Sequence, residues 1–168
     1  LFINGKSYGK QSKNNSSLKN RYRLMWMDAV YEPGEVKVVA YNKEGKAVAE
    51  KVVRTAGKPH HIELVSNRNE LTADGKDLAY VTVKVVDKDG NLCPTDSRLI
   101  HFSVKGAGKF RAVANGDPTN LEQFHLPKMH AFHGMLTAIV QAGEIAGDLV
   151  LTAKASGVKT GTVHLQAK

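Results

Sequence analysis

"LAYVTVKVV", Leu78–Val86, decides the fold class of this chain. Val81, Val83 and Val85 share one phase, and Tyr80, Thr82 and Lys84 share the other. That two-residue period belongs to a strand with one buried face, because successive side chains of an extended backbone point to opposite sides. A helix would need its apolar residues to recur every three to four positions.

The same period recurs on both sides of this stretch. "LIHFSV", Leu99–Val104, sets Ile100, Phe102 and Val104 against Leu99, His101 and Ser103. "DLVLTAKA", Asp148–Ala155, turns Leu149, Leu151 and Ala153 inward, and "TVHLQA", Thr162–Ala167, does so with Val163 and Leu165. Upstream, "EVKVVAY", Glu35–Tyr41, alternates Val36, Val38 and Ala40 against Lys37, Val39 and Tyr41, as a half-buried strand should. No helix-period stripe runs for three turns. Turn signals fall between the runs, at Asn4-Gly5, Pro33-Gly34, Glu44-Gly45, Asp74-Gly75, Asp89-Gly90 and Gly106-Ala107-Gly108. Asn-Gly is a strong hairpin signal, since both residues tolerate the positive φ of a type I′ turn. The pattern predicts an all-β chain of two immunoglobulin-like antiparallel β-sandwich domains in tandem.

A seam lies in "RTAGKPHH", Arg54–His61, where Gly57 and Pro59 interrupt two strand-like runs. A short linker is expected at residues 56–59, dividing the chain into domains 1–57 and 58–168. The second domain holds about seven strand signals, enough for a full sandwich. The first holds about four, fewer than such sandwiches usually carry. It is therefore expected to be truncated at its N-terminus, with the missing strands upstream of Leu1 in a longer polypeptide.

Bulk properties narrow the function classes. The chain has 168 residues, 42% of them hydrophobic and 24% charged, as in an ordinary globular protein. No apolar run approaches the ~20 residues of a membrane span. The single Cys93 has no internal disulfide partner and reads as a small buried residue. The net charge is +8, and residues 1–57 carry eleven Lys/Arg against five Asp/Glu. Part of this excess lies in "GKQSKNNSSLKNRYR", Gly9–Arg23, a polar stretch suited to a solvated loop or to contact with phosphates or an acidic surface. No nucleic-acid motif accompanies the charge, and nucleic acid is not expected as a partner.

The densest cluster of chemistry-bearing residues is "NGDPTNLEQFHLPKMHAFHG", Asn115–Gly134. A metal reading uses His125, His130 and His133, but their spacing matches neither a zinc finger nor an HExxH helix. An acid/base reading uses Asp117 and Glu122, which in a retaining glycosidase would stand ~5–5.5 Å apart across a sugar. Nothing adjacent in sequence supplies a sugar-sized cleft. The turn reading fits better. Asn115, Gly116, Asp117 and Pro118 form a tight turn with Asp117 capping backbone N–H groups, and Glu122 ties the loop to a basic neighbour or a backbone donor. Phe124 and Phe132 are the expected anchors. His60, His61, His101 and His164 are expected at the surface. There is no GxSxG, Walker loop or dinucleotide fingerprint. No catalytic, cofactor-binding or metal-ligating residue is therefore assigned, and no cofactor is expected. Tyr22, Trp26, Tyr31 and Tyr41 are candidate carbohydrate contacts, because exposed aromatic faces stack on pyranose rings. The competing reading places Trp26, flanked by Leu24, Met25 and Met27, in a core.

Longer words in the sequence carry a family resemblance. "LFINGKSYGK" and "WMDAVYEPGEVKVVAYNKEGKAVAEKVVRTAGKP" resemble the small β-sandwich module that follows the catalytic barrel in bacterial β-galactosidases of glycoside hydrolase family 2. The pattern is strand–Asn-Gly-Lys, a Trp strand, Tyr-x-Pro-Gly, a Tyr strand, then Thr-Ala-Gly-x-Pro. "IELVSNRNELTADGKDLAYVTVKVVDKDGNLCP" through "AFHGMLTAIVQA" is similar to the invasin-like C-terminal domain of the same enzymes. The family's loop often has a basic residue two before Ala-Phe, where Met129 stands here, leaving His130 or Lys128 as the substitute partner for a loop carboxylate. The resemblance implies a parent that hydrolyses terminal β-galactosides, or a related β-glycoside, with retention. Its catalytic glutamates would lie in an upstream barrel, so no catalytic residue carries over to this chain. The implied role is that of non-catalytic accessory domains that brace the barrel, extend its substrate groove or build an oligomer contact. The implied partners are the upstream barrel, then an oligosaccharide or a second subunit, and the implied location is periplasmic or extracellular in a bacterium. A carbohydrate-binding module and an adhesin-type immunoglobulin-like spacer are the alternatives.

Overall fold

Val81, Val83 and Val85 are fully buried in β7 (Leu78–Val86), the longest strand of a computed structural model that describes Leu1–Lys168. The chain divides into two compact units, Leu1–Thr55 and Ala56–Lys168.

The second unit is a two-sheet sandwich. Its strands are β5 (His61–Ser66), β6 (Glu70–Leu71), β7, β8 (Leu99–Gly106), β9 (Gly108–Ala114), β10 (Lys128–His130), β11 (Met135–Ala142), β12 (Gly147–Lys154) and β13 (Gly161–Ala167). One sheet has the order β5-β7-β11-β9, and the other β10-β8-β12-β13-β6. All neighbours run antiparallel except β13 and β6, a parallel edge pair. The inward phases are those of the sequence period: Ile100 and Phe102 on β8, Leu136, Ala138 and Val140 on β11, Leu149, Leu151 and Ala153 on β12. Each fully buried valine or leucine contributes roughly 1.5–3 kcal/mol relative to exposure. Nine strands form where about seven were expected, because the two-residue β6 and three-residue β10 are too short for a periodic signal. Between β8 and β9 the chain changes sheets through Ala107 alone. Gly106 makes that possible at φ +90, since a Cβ there would lie 2.0 Å from the Asp148 carbonyl oxygen.

The first unit is one antiparallel sheet of order β2-β1-β3-β4, built from β1 (Phe2–Ile3), β2 (Lys6–Ser7), β3 (Glu35–Tyr41) and β4 (Ala47–Arg54). Asn4 and Gly5, at φ 48 and 80, make the expected hairpin turn between β1 and β2. A one-turn helix, α1 (Leu18–Tyr22), interrupts the polar stretch read as a loop. Ser17 caps it, accepting a hydrogen bond from the Asn20 N–H at 3.1 Å. Ile3 is the unit's one buried hydrophobic side chain. Neither phase of β3 is buried: Val36, Lys37 and Val39 are half-buried, Val38 is 39% exposed, and Val53, on the same face, is 61% exposed. No second sheet within the unit covers this face. Trp26, assigned above to a strand, lies in an irregular segment between α1 and β3. No helix is long and apolar enough to cross a membrane.

Candidate functional site

The Asn115–Gly134 loop leaves β9, forms β10 at one edge of its sheet and turns into β11. Asn115 Oδ1 accepts the Asp117 N–H at 3.1 Å, and Asp117 Oδ1 accepts the Thr119 N–H at 2.8 Å and its hydroxyl at 2.7 Å. These Thr119 contacts, the backbone N–H first, hold the Asp117 carboxyl below the usual carboxylate range. Glu122 does not face Asp117 across a cleft. Its Oε2 accepts the His130 backbone N–H at 3.1 Å, and its Oε1 lies 3.0 Å from His130 Nδ1.

The histidines separate. His125 is exposed, His130 is paired with Glu122, and His133 Nδ1 lies 3.3 Å from the Pro94 carbonyl oxygen. No three His, Cys, Asp or Glu side chains converge in a metal-holding group. Phe124 is 55% exposed and is not the expected anchor. The loop is fixed instead by Met129 and Ala131, both in the core. Alternation around Met129 in "KMHA" was the available signal, outweighed by the two conspicuous phenylalanines. His101 and His164 are exposed as expected, whereas His60 and His61 are half-buried with their Nδ1 atoms 3.0 Å apart.

Two carboxylates that no motif singled out are engaged most deeply. Asp87 is buried and accepts the N–H groups of Gly57, Asp89 and Asn91 at 2.8–2.9 Å. The Gly57 N–H first, then the Asn91 side chain, push its carboxyl far below the ordinary range. The turn word "DKDGN" was its signal in the sequence. Burial works to raise Asp96, but the Arg98 guanidinium, at 2.6 Å, outweighs it and holds the carboxyl low. Arg98 also donates to the Ser156 carbonyl at 2.6 Å, which joins two loops. Cys93 is buried, and burial first, then the nearby Asp87 charge, push its thiol up.

The four candidate sugar-contacting aromatics do not form one strip. Tyr31 is exposed with its hydroxyl 3.0 Å from Thr55 Oγ1, and Tyr22 projects from α1 beside Arg21. Trp26 and Tyr41 do share a cleft, of about 720 Å³, whose walls include Lys10, Gln11, Lys13 and Lys43. Trp26 is half-buried, and its Nε1–H donates to the Gly9 carbonyl at 3.3 Å. Tyr41 is 42% exposed, with Lys10 Nζ 5.0 Å from its ring centroid. A second cleft of about 390 Å³, bounded by Lys19, Arg23 and Met27, adjoins the first through Gln11, Ser12 and Leu24. The Gln11 side chain donates to the Met25 carbonyl at 2.7 Å and accepts the Met25 N–H at 3.3 Å, which fixes that shared wall.

Comparison with known proteins places both units. Residues 62–164 match the profile of the glycoside hydrolase family 2 C-terminal domain 5, and residues 1–49 match a domain of unknown function, DUF4982. The whole chain is 42% identical to beta-galactosidase BoGH2A of Bacteroides ovatus, over 19% of that protein's length. A stretch of 111 residues is 32% identical to a beta-galactosidase of Thermoanaerobacter pseudethanolicus, covering 66% of this chain and 13% of that protein. Among solved structures, a glycosyl hydrolase family 2 member from Bacteroides cellulosilyticus superposes with a TM-score of 0.85 at 32% identity, covering 99% of this chain and 21% of that one. The chain thus spans about a fifth of the length of these longest-matching relatives.

Proposed function

The chain belongs to the C-terminal domains of glycoside hydrolase family 2, and on that premise we propose that it is the non-catalytic accessory part of a β-galactosidase-like enzyme. The parent would hydrolyse terminal β-galactosides, or a related β-glycoside, with retention, its catalytic glutamates lying in a barrel upstream. The observation that carries this reading is the likeness, along every residue of the chain, to a protein named beta-galactosidase.

The carboxylates support an accessory role. Asp117 organises its own turn, Glu122 holds a strand edge, Asp87 caps a turn from inside and Asp96 is bound by Arg98. A general acid or nucleophile has to present its carboxyl to a substrate. In the parent, strands upstream of Leu1 would cover the exposed Val53 and brace the first unit against the barrel. The enzyme would work in the periplasm or outside the cell.

The test compares the isolated chain with the full-length polypeptide on a chromogenic β-galactoside and related β-glycosides. Turnover by the full-length polypeptide alone is expected. Turnover by the isolated chain that disappears on Glu122→Gln would overturn the accessory reading. A carbohydrate-binding role is the second reading, favoured by the cleft that Trp26 and Tyr41 share.

A further inference from the structure

The charge of the first unit is concentrated where its clefts are. Residues 1–27 contain six Lys/Arg and no Asp or Glu. None of the six, Lys6, Lys10, Lys13, Lys19, Arg21 and Arg23, takes part in an ion pair. Four of them, Lys10, Lys13, Lys19 and Arg23, line the two adjoining clefts beside Trp26 and Tyr41, together with Ser12 and, just past β3, Lys43. No carboxylate lines either cleft. Unpaired cations around a concave surface raise the local concentration of anions and bind them, more strongly at low salt.

We propose that these adjoining clefts bind an anionic oligosaccharide. This rests on the reading of the parent as a carbohydrate-active enzyme and names a ligand class for the second role above. Sugar rings would lie against Tyr41 and the exposed part of Trp26, whose Nε1–H is already engaged by Gly9. Lys10, Lys13 and Lys43 would meet the carboxylate or sulfate groups, while Gln11, Ser12 and Asn42 offer neutral hydrogen bonds to hydroxyls. In the free protein Lys10 sits over the Tyr41 ring. An arriving anion draws that ammonium aside and opens the aromatic face to the sugar. The chain of the ligand then continues past Gln11 towards Lys19 and Arg23 in the second cleft. The volumes fall in the usual range for small-ligand sites, about 300–1,000 Å³. A bounded cleft with two aromatic faces suits a short saccharide better than single-stranded nucleic acid, which uses an open groove with bases stacked in succession.

The experiment is calorimetric titration of the full-length polypeptide with four probes of matched length: oligogalacturonate, a sulfated galacto-oligosaccharide, a neutral galacto-oligosaccharide and oligo-dT. The carboxylated or the sulfated sugar should bind at least about tenfold more tightly than the neutral one, and the pair tells which anion is preferred. Affinity should fall about tenfold from low to physiological salt. Lys10→Gln, Lys13→Gln and Lys43→Gln combined should lose about tenfold, as should Tyr41→Ala, while Tyr41→Phe keeps the affinity. These side chains are exposed, so the melting temperatures should not move. Equal binding of neutral and anionic sugars, indifference to the lysine changes, or tighter binding of oligo-dT would overturn the proposal. The chromogenic assay on the same samples separates the two readings. Hydrolysis without anion binding removes this inference alone, and anion binding by a polypeptide that hydrolyses no β-glycoside removes the enzyme reading alone.

Discussion

Asn115 and Glu122 hold His130 by its two backbone polar groups. Asn115 Nδ2 donates to the His130 carbonyl at 3.0 Å, and Glu122 Oε2 accepts the His130 N–H at 3.1 Å. β10 is the edge strand of its sheet, so these groups face away from β8. An unpaired edge invites another chain to add a strand. Here the preceding loop folds back and satisfies the edge with side chains.

Loss of either grip should therefore destabilise the second unit. Asn115→Ala and Glu122→Ala should each cost about 1 kcal/mol, the lower part of the range for hydrogen bonds to charged or buried groups, because the site is half exposed. Glu122→Gln keeps an acceptor for the His130 N–H and should cost less. Asp117→Ala should shift the urea midpoint less than Asn115→Ala, since its partners belong to its own turn. The double variant Asn115→Ala/Glu122→Ala should also self-associate at high concentration, visible by light scattering. A monomer as stable as the unsubstituted protein would show that the edge needs no cover.

The two units should differ sharply in autonomy. Ala56–Lys168 encloses a continuous core from Ile62 to Ala167, whereas Leu1–Thr55 buries Ile3 alone among its hydrophobic side chains. A small unit with so little buried apolar area cannot offset its conformational entropy. Urea denaturation of the separate pieces should give one cooperative transition for 56–168 and none for 1–55. A comparable transition for 1–55 would mean that its single sheet is self-sufficient.

The sandwich was legible in the sequence because its strands alternate, and alternation is the geometry of a half-buried strand. Val81, Val83, Val85, Leu149 and Leu151 all fall where that period puts them. The same alternation in β3 marks no buried face, because a period reports which residues share a face and not whether anything covers that face. In the loop, Asn-Gly-Asp-Pro announced a turn, and the Asp117 contacts follow local rules. Glu122 does tie the loop to a backbone donor and to a basic neighbour, both on His130, but the choice of His130 over Lys128 depends on where β10 lands, which no local signal encodes. Phe124 is large yet 55% exposed, because size alone does not place a side chain inside, and Met129 occupies the core position. The clefted basic surface was half visible: its charge can be counted, but the grouping of Trp26 with Tyr41 and the separation of Tyr22 and Tyr31 needed the fold.

Acid should weaken the second unit through Asp87. Its carboxyl is held far below the ordinary range by the Gly57 N–H first and the Asn91 side chain next. In the unfolded chain it would titrate near ~3.9. A group depressed in the folded state contributes stability that is fully present above the unfolded value and is lost as pH falls towards the folded one. Stability of 56–168 should therefore be flat from neutral pH down to about pH 5 and decline below about pH 4. Asp96, also held low, adds to the same decline. Asp87→Asn should be less stable than the parent at neutral pH and should have a shallower acid limb. An unchanged limb in Asp87→Asn would assign the decline to other carboxylates.

The turn from β10 into β11 should be the most sensitive point for a small substitution. His133 and Gly134 lie at φ 51 and 74, between Phe132 and Met135, whose backbones pair. Both are left-handed, as a type I′ connection requires. At Gly134 the constraint is also steric, since a Cβ would stand 2.3 Å from the Cys93 carbonyl oxygen. That carbonyl cannot retreat freely: it accepts the Asp96 N–H at 3.1 Å, while Gly134 itself donates to the Asp96 carbonyl and accepts from Val85, both at 2.8 Å. Gly134→Ala should therefore exceed the ~1–2 kcal/mol of left-handed strain alone and cost more than about 2 kcal/mol. At His133 the side chain is exposed, with one long polar contact of 3.3 Å to the Pro94 carbonyl, so the backbone is the main demand. His133→Gly should stay within about 0.5 kcal/mol, relief of strain offsetting the greater freedom of the unfolded chain. His133→Val should cost over about 1 kcal/mol, because a β-branched residue tolerates this region poorly. Urea melts of 56–168 at a common slope would rank the three. If Gly134→Ala proved as mild as His133→Gly, the close approach of Gly134 to Cys93 would not be a constraint on the fold.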